Sequence, residues 1–134
     1  MKLMATVNKT GSSSYSVYVK GAFESIAPLC TKKLDNGNIV QLDNIHEWEE
    51  SVEQMSSQGL RTIAMAYKEV EGANFKKAEL LNNLVLIGIV GFIDPAREGV
   101  KAIMDIYNKA GVKVVMMTGD HPKTAQKIAQ ILGY

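Results

Sequence analysis

The sequence is poor in cysteine, proline and net charge, and each shortage excludes something. Cys30 is the single cysteine among 134 residues, so no intramolecular disulfide can form and the chain is compatible with a reducing compartment. A lone cysteine of this kind is most simply a small buried hydrophobe. Lys and Arg number 15 against 14 Asp and Glu, a net charge of +1. That balance supplies no field to attract nucleic acid or an anionic membrane surface. Long apolar runs are lacking too. The longest, Leu84 to Ile93, is about half of the roughly 20 residues that a membrane-spanning helix needs. The N-terminus has no charged-then-apolar signal pattern. The chain therefore reads as soluble and intracellular, without internal repeats or low-complexity tracts. His46 has no second His, Cys or paired carboxylate at metal spacing, so it reads as a satisfied or solvent-facing side chain.

What is present is organised around Val112 to Ala125, VKVVMMTGDHPKTA. Val112 and Val114 to Met117 form a short apolar run suited to a strand buried on both faces of a parallel sheet. Thr118-Gly119-Asp120 follows it. Pro122 stands where a first helical residue would, and Thr124, Ala125, Ile128, Ala129, Ile131 and Leu132 recur at helical spacing until Gly133 closes the element. Such a strand–turn–helix junction favours an anion, because the amides and dipole of the helix N-terminus face outward beyond the strand end. A phosphate is the first expectation. Thr118 offers a hydroxyl, Gly119 lets the backbone approach closely, and Asp120 is a candidate helix cap or metal neighbour. A strand and capped helix with no ligand is an equal alternative on these residues alone.

Upstream, Leu3 to Val7 and Tyr15 to Lys20 are β-prone runs joined by an Asn-, Gly- and Ser-rich loop. Alternation in the second run puts Tyr15, Val17 and Val19 on a buried face and Lys20 on the wetter one. Ala22 to Leu29 suits a short helix limited by Pro28. Asn36-Gly37 marks a turn before a brief strand at Ile39 to Leu42. A helix is expected from Asp43 or Asn44, with Ile45, Trp48, Val52 and Met55 inward, glutamates outward, and Gly59 as its end. Leu60 to Tyr67 reads as a strand with Arg61 at its entrance, and Glu69 to Asn83 as a polar surface connection.

Leu84 to Ile93 suits a buried strand. Asp94 is a plausible N-cap with Pro95 at the first helical position, and Val100, Ile103, Tyr107 and Ala110 form a stripe ended by Gly111. The expected fold class is α/β in two parts. Residues 1–83 form an antiparallel sheet with helices, and residues 84–134 a βαβα unit, half of a doubly wound, Rossmann-like fold. About fifty residues with two parallel strands are below the size at which a core usually stands alone. Self-association of the chain or disorder of its C-terminal part is the expected result.

Four separated stretches, KGAFES at Lys20 to Ser25, GLRTIAMAY at Gly59 to Tyr67, DPAR at Asp94 to Arg97 and TGDHPKTA at Thr118 to Ala125, together resemble the large cytoplasmic loop of P-type cation-transporting ATPases. The resemblance is closest to the calcium-pump branch; each stretch alone is a modest signal, and their shared order and spacing argue against chance. KLMATV at Lys2 to Val7 also looks like the family's stretch ahead of its Lys-Gly-Ala motif. The resemblance runs along essentially the whole chain.

The resemblance implies that residues 1–83 are the C-terminal portion of a nucleotide-binding domain. Residues 84–134 would be the hinge and part of a haloacid-dehalogenase-like phosphorylation domain. Lys20 and Gly21 would line the ATP pocket with Lys2, and Arg61 would reach the nucleotide phosphates. Asp94 and Arg97 would lie in the hinge and face the site on closure. Thr118, Gly119 and Asp120 would hold the phosphoryl group of an aspartyl phosphate. Lysines suit this as point charges and arginine as a rigid fork for phosphate oxygens. Phosphoryl transfer chiefly needs positioning and charge stabilisation. Without the resemblance, Lys2 and Lys20 read as solvated strand residues, Arg61 as a surface ion pair and Arg97 as a helix-face charge.

The departures from the family pattern matter more than the matches. The Asp-Lys-Thr-Gly motif carrying the phosphorylated aspartate is absent, as is the later Gly-Asp-Gly-x-Asn-Asp that holds Mg2+, and Phe23 stands where the family usually has Pro. The expected protein is thus part of an ATP-driven pump, contributing ATP- and phosphate-site residues but inactive alone, with no metal ligands assigned in this chain. Its parent would sit in a membrane with this part on the cytoplasmic side. Its partners would be ATP with Mg2+ and the rest of the pump, not nucleic acid. Alternatives are part of a soluble haloacid-dehalogenase-type phosphatase, or a non-catalytic nucleotide-binding module.

Overall fold

A computed structural model describes residues 2–72 and 75–133. The chain opens with an antiparallel hairpin of β1 (Leu3–Lys9) and β2 (Ser14–Gly21), in which Leu3 faces Gly21 and Lys9 faces Tyr15. The period-2 pattern of β2 acts as expected: Val17 and Val19 are buried, while Tyr18 and Lys20 are exposed. Ser16, on the outer face, is buried by its cross-strand neighbour, donating its hydroxyl to the Glu69 carboxylate at 2.8 Å. A short helix, α1 (Phe23–Ile26), and a 3-10 turn containing Pro28 follow. Phe23 is buried.

β3 (Cys30–Asp35) and β4 (Asn38–Gln41) form a second hairpin. Its turn residues Asn36 and Gly37 have φ of 48° and 81°, the left-handed pair that a two-residue turn matched to strand twist requires. α2 (Ile45–Ser57) follows, and the chain turns at Gly59, φ 87°, into β5 (Arg61–Glu71). A short α3 (Lys77–Leu80) precedes β6 (Leu84–Phe92). Lys68 of β5 ties this connection down, donating to the carbonyls of Glu79 and Asn82. Desolvation holds its ammonium pKa below the ordinary value, with Glu79 opposing. The last elements are α4 (Val100–Lys109) and α5 (Pro122–Leu132). Among the described residues no helix is long and apolar enough to cross a membrane.

The six strands form one sheet in the order β1-β2-β5-β6-β3-β4. This corrects the expected fold in two ways. The sheet is mixed rather than antiparallel, since β6 runs parallel to β3, with Cys30 beside Leu84. In addition, no strand forms at Val112 to Met117, where Val115 and Met117 are 69% and 91% exposed. β6 has β5 on one side and, over Leu84–Leu86, β3 on the other, so its parallel partner is β3 and not the Val112 to Met117 segment. The second strand of the expected Rossmann-like βαβα unit is thus not seen at these residues.

Two helix starts also differ from expectation. Asp94 is not an N-cap, because α4 begins only after Gly99, whose φ of 83° breaks helical geometry. The inward residue of α4 is Met104, and Ile103 and Tyr107 are exposed. For α5, Pro122 occupies the first turn and Gly133 closes the helix at φ 88°, as expected. Its cap, however, is His121, whose Nδ1 accepts the Lys123 amide at 3.3 Å, and not Asp120.

By contact the chain falls into two units, Met1–Glu49 with Thr62–Val90, and Glu50–Arg61 with Gly91–Tyr134. The first has a substantial core that includes Val17, Val19, Phe23, Ile26, Ala64, Ala66, Leu84 and Leu86. In the second, the buried apolar side chains among the described residues are Val52 and Met104, with Ser56 and Thr124 beside them as buried polar groups.

Candidate functional site

In the first unit, Lys20 lies near the end of β2, opposite Met4 of β1 and Met65 of β5. The Ala22 amide donates to the Lys2 carbonyl at 3.1 Å, so the ladder continues one pair beyond Leu3–Gly21. Strand alternation then puts Lys2, Met4 and Lys20 on one face. Both lysines are exposed, and the two backbones approach closely at Gly21. Gly21 makes this close approach possible. A Cβ at Gly21 would sit 2.3 Å from the Lys2 carbonyl oxygen and 2.8 Å from Leu3 Cα. Two ammonium groups projecting from one strand end, with thioether side chains beside them, can neutralise a polyanion that also carries an apolar group.

In the second unit, Arg61 Nε lies 3.0 Å from Asp120 Oδ1. The contact uses one edge of the guanidinium, leaving its terminal N–H groups able to donate to another anion. The Thr118 hydroxyl accepts the Asp120 amide at 3.1 Å and retains its own O–H as a donor. A Cβ at Gly119 would meet nothing within 4 Å. The turn thus offers open backbone at Gly119, a hydroxyl on one side and a paired cation–carboxylate on the other. Asp94 and Arg97 are exposed, and among the described residues no side-chain hydrogen bond or ion pair joins them to this turn.

The structure thus brings Arg61, Thr118, Gly119 and Asp120 together, and separately Lys2, Lys20 and Gly21. Three further residues, none of them a site candidate from the sequence, support the Arg61 turn. Thr124 is fully buried, and its hydroxyl donates to the Leu60 carbonyl at 2.8 Å. Lys123 pairs with Glu53 of α2. The signal for Thr124 was its place in an otherwise apolar helical stripe, where a hydroxyl needs a partner.

Among the described residues no three His, Cys, Asp or Glu side chains are grouped to hold a metal ion. Asp120 is engaged by a cation instead. These residues do not by themselves fit a resident metal.

Comparison with known proteins agrees with the motifs. The family model described as P-type ATPase, cytoplasmic domain N, matches residues 1–99. Calcium-transporting ATPase 1 of Bacillus cereus is 40% identical over 134 residues, covering 98% of this chain and 15% of the relative. Cation-transporting ATPase pma1 of Synechocystis is 40% identical over 121 residues, 88% of this chain and 13% of the relative. The sodium/potassium exporting P-type ATPase cta3 of Schizosaccharomyces pombe is 31% identical over 137 residues, 99% of this chain and 13% of the relative. The chain therefore spans about one seventh of the length of these relatives. With a family model covering most of its length and relatives matching nearly all of it, the chain belongs to the P-type ATPase family, matching its cytoplasmic domain N along residues 1–99.

Proposed function

We propose that this chain is the ATP-handling part of a cation-transporting pump, calcium being the ion, and that it is catalytically silent by itself. The observation that carries this reading is the pair of exposed lysines, Lys2 and Lys20, held on one face by the close contact at Gly21, within a stretch that matches the family's domain N. Lys2 and Lys20 neutralise the nucleotide, with Gly21 giving it access. Arg61 presents its free N–H groups to the phosphates. Thr118, Gly119 and Asp120 cradle the transferred phosphoryl group as part of a haloacid-dehalogenase-like phosphorylation domain, and Asp94 and Arg97 serve the hinge.

ATP would arrive with Mg2+, and among the described residues no group of carboxylates gathers to hold that ion. The chain supplies no Asp-Lys-Thr-Gly nucleophile, so it positions a phosphoryl group without accepting one. In the parent protein this part would lie on the cytoplasmic side of the membrane. The relatives' printed names include calcium and sodium/potassium pumps, and ion choice belongs to membrane segments.

The test is an ATP titration of the chain beside its Lys20→Ala variant, followed by nuclear magnetic resonance. The expected dissociation constant is on the order of millimolar, about 4 kcal/mol, weakened severalfold by the substitution. Incubation with γ-labelled ATP should leave no acid-stable phosphoprotein. Binding that is tight and indifferent to Lys20→Ala would overturn the assignment.

A further inference from the structure

We propose that Thr124 is a positioning residue for Arg61, fixing the backbone from which the guanidinium reaches a nucleotide's phosphates; this rests on the nucleotide reading above. Leu60, the residue before Arg61, has both of its backbone polar groups committed. Its amide donates to the Met55 carbonyl at 3.1 Å, and its carbonyl accepts the Thr124 hydroxyl at 2.8 Å. Thr124 is fully buried, so its hydroxyl depends on the Leu60 carbonyl as its acceptor.

The peptide linking Leu60 to Arg61 is therefore clamped by the first turn of α5. That same turn follows directly on Asp120, which holds the far end of the Arg61 side chain at Nε. Arg61 is thus anchored at its backbone by Thr124 and at its head by Asp120, two contacts from one helix start. Arginine has many rotamers, and an unanchored one loses more freedom on meeting a phosphate. Lys123, paired with Glu53 of α2, ties the same first turn of α5 to the helix that leads into the loop.

The positioning role predicts a phosphate-selective effect. ATP and AMP are titrated separately into the full chain and into Thr124→Val, Thr124→Ser and Lys20→Ala, with amide and Arg61 Nε–H signals followed by nuclear magnetic resonance. Thr124→Val should weaken ATP roughly three- to tenfold, leave AMP unchanged and move the Arg61 Nε–H signal. Thr124→Ser, which keeps the hydroxyl, should match the native chain in all three. Unchanged ATP affinity in Thr124→Val, or equal weakening of ATP and AMP with loss of dispersed signals, would reduce Thr124 to a packing role and overturn the inference. If Lys20→Ala weakens ATP while Thr124→Val does not, only this inference falls. If Lys20→Ala has no effect, the nucleotide reading falls and takes it along.

Discussion

Arg61 and Asp120, 59 positions apart in the chain, meet through Nε and Oδ1 at 3.0 Å. Their side chains are 56% and 24% exposed, so water competes for both and the attraction is screened. The pair is suited to orienting the guanidinium for an incoming anion rather than to holding the fold. A double-mutant cycle of Arg61→Ala and Asp120→Asn in urea unfolding should give a coupling below about 1 kcal/mol. That coupling should vanish near 1 M salt, and a salt-insensitive coupling of about 2 kcal/mol or more would contradict it.

Gly21 carries the opposite kind of constraint. Any side chain there meets backbone atoms of Lys2 and Leu3, which cannot swing aside as a flexible side chain would. Gly21→Ala should destabilise the first unit by about 3 kcal/mol and separate the two lysines. Thermal unfolding measures the first effect and the ATP titration the second. A variant of native stability would show that β1 yields easily at that point.

Much of this architecture was legible from local pattern. Alternation in β2 placed Lys20 outward and Val17 and Val19 inward, and Gly59 and Gly133 marked helix ends that both adopt positive φ. What escaped was long-range. β3 is mostly polar, Cys30-Thr31-Lys32-Lys33, and shows no alternation, so nothing local announced the strand that takes one edge of β6. Val112 to Met117 has strand composition but no partner, because strand formation depends on an available ladder and composition alone does not supply one. Arg61 and Asp120 were each singled out, yet their pairing, like that of Thr124 with Leu60, joins segments about sixty residues apart.

Ser56 is fully buried, and among the described residues its Oγ has no hydrogen-bond partner. A hydroxyl in that position has lost its water and gained nothing in return. Ser56→Ala should therefore stabilise the chain by about 1 kcal/mol, aided slightly by alanine's better helix propensity. The urea midpoint should rise with an unchanged slope; a fall would mean that the hydroxyl is satisfied in solution.

Met117, Ile93, Val115 and Ile106 are 91%, 76%, 69% and 63% exposed, all in the unit whose described buried apolar side chains are Val52 and Met104. Such surface seeks cover. The chain should self-associate with rising concentration in light scattering. Val115→Lys combined with Met117→Lys should shift the distribution toward monomer. A native chain monomeric throughout a millimolar range would exclude this.

Cys30 is buried, its thiol directed at the Ile26 carbonyl at 3.4 Å, and burial raises its pKa from 9.0 to about 11. Thiolate is the reactive form, so iodoacetamide should modify the folded chain far more slowly at pH 8 than the urea-unfolded one. The linkage has a definite sign. Between pH 9 and 11 the folded state keeps a proton that the unfolded state has released, so this group's stabilisation, fully present below pH 9, is lost as pH rises toward 11. The slope approaches about 1.4 kcal/mol per pH unit midway. Other groups titrate there too, and Cys30→Ala supplies the control: the stability difference between native chain and variant should be constant up to pH 9 and shift against the native chain above it. A difference that stays flat to pH 11 would show that Cys30 ionises as readily folded as unfolded, and that its surroundings admit water.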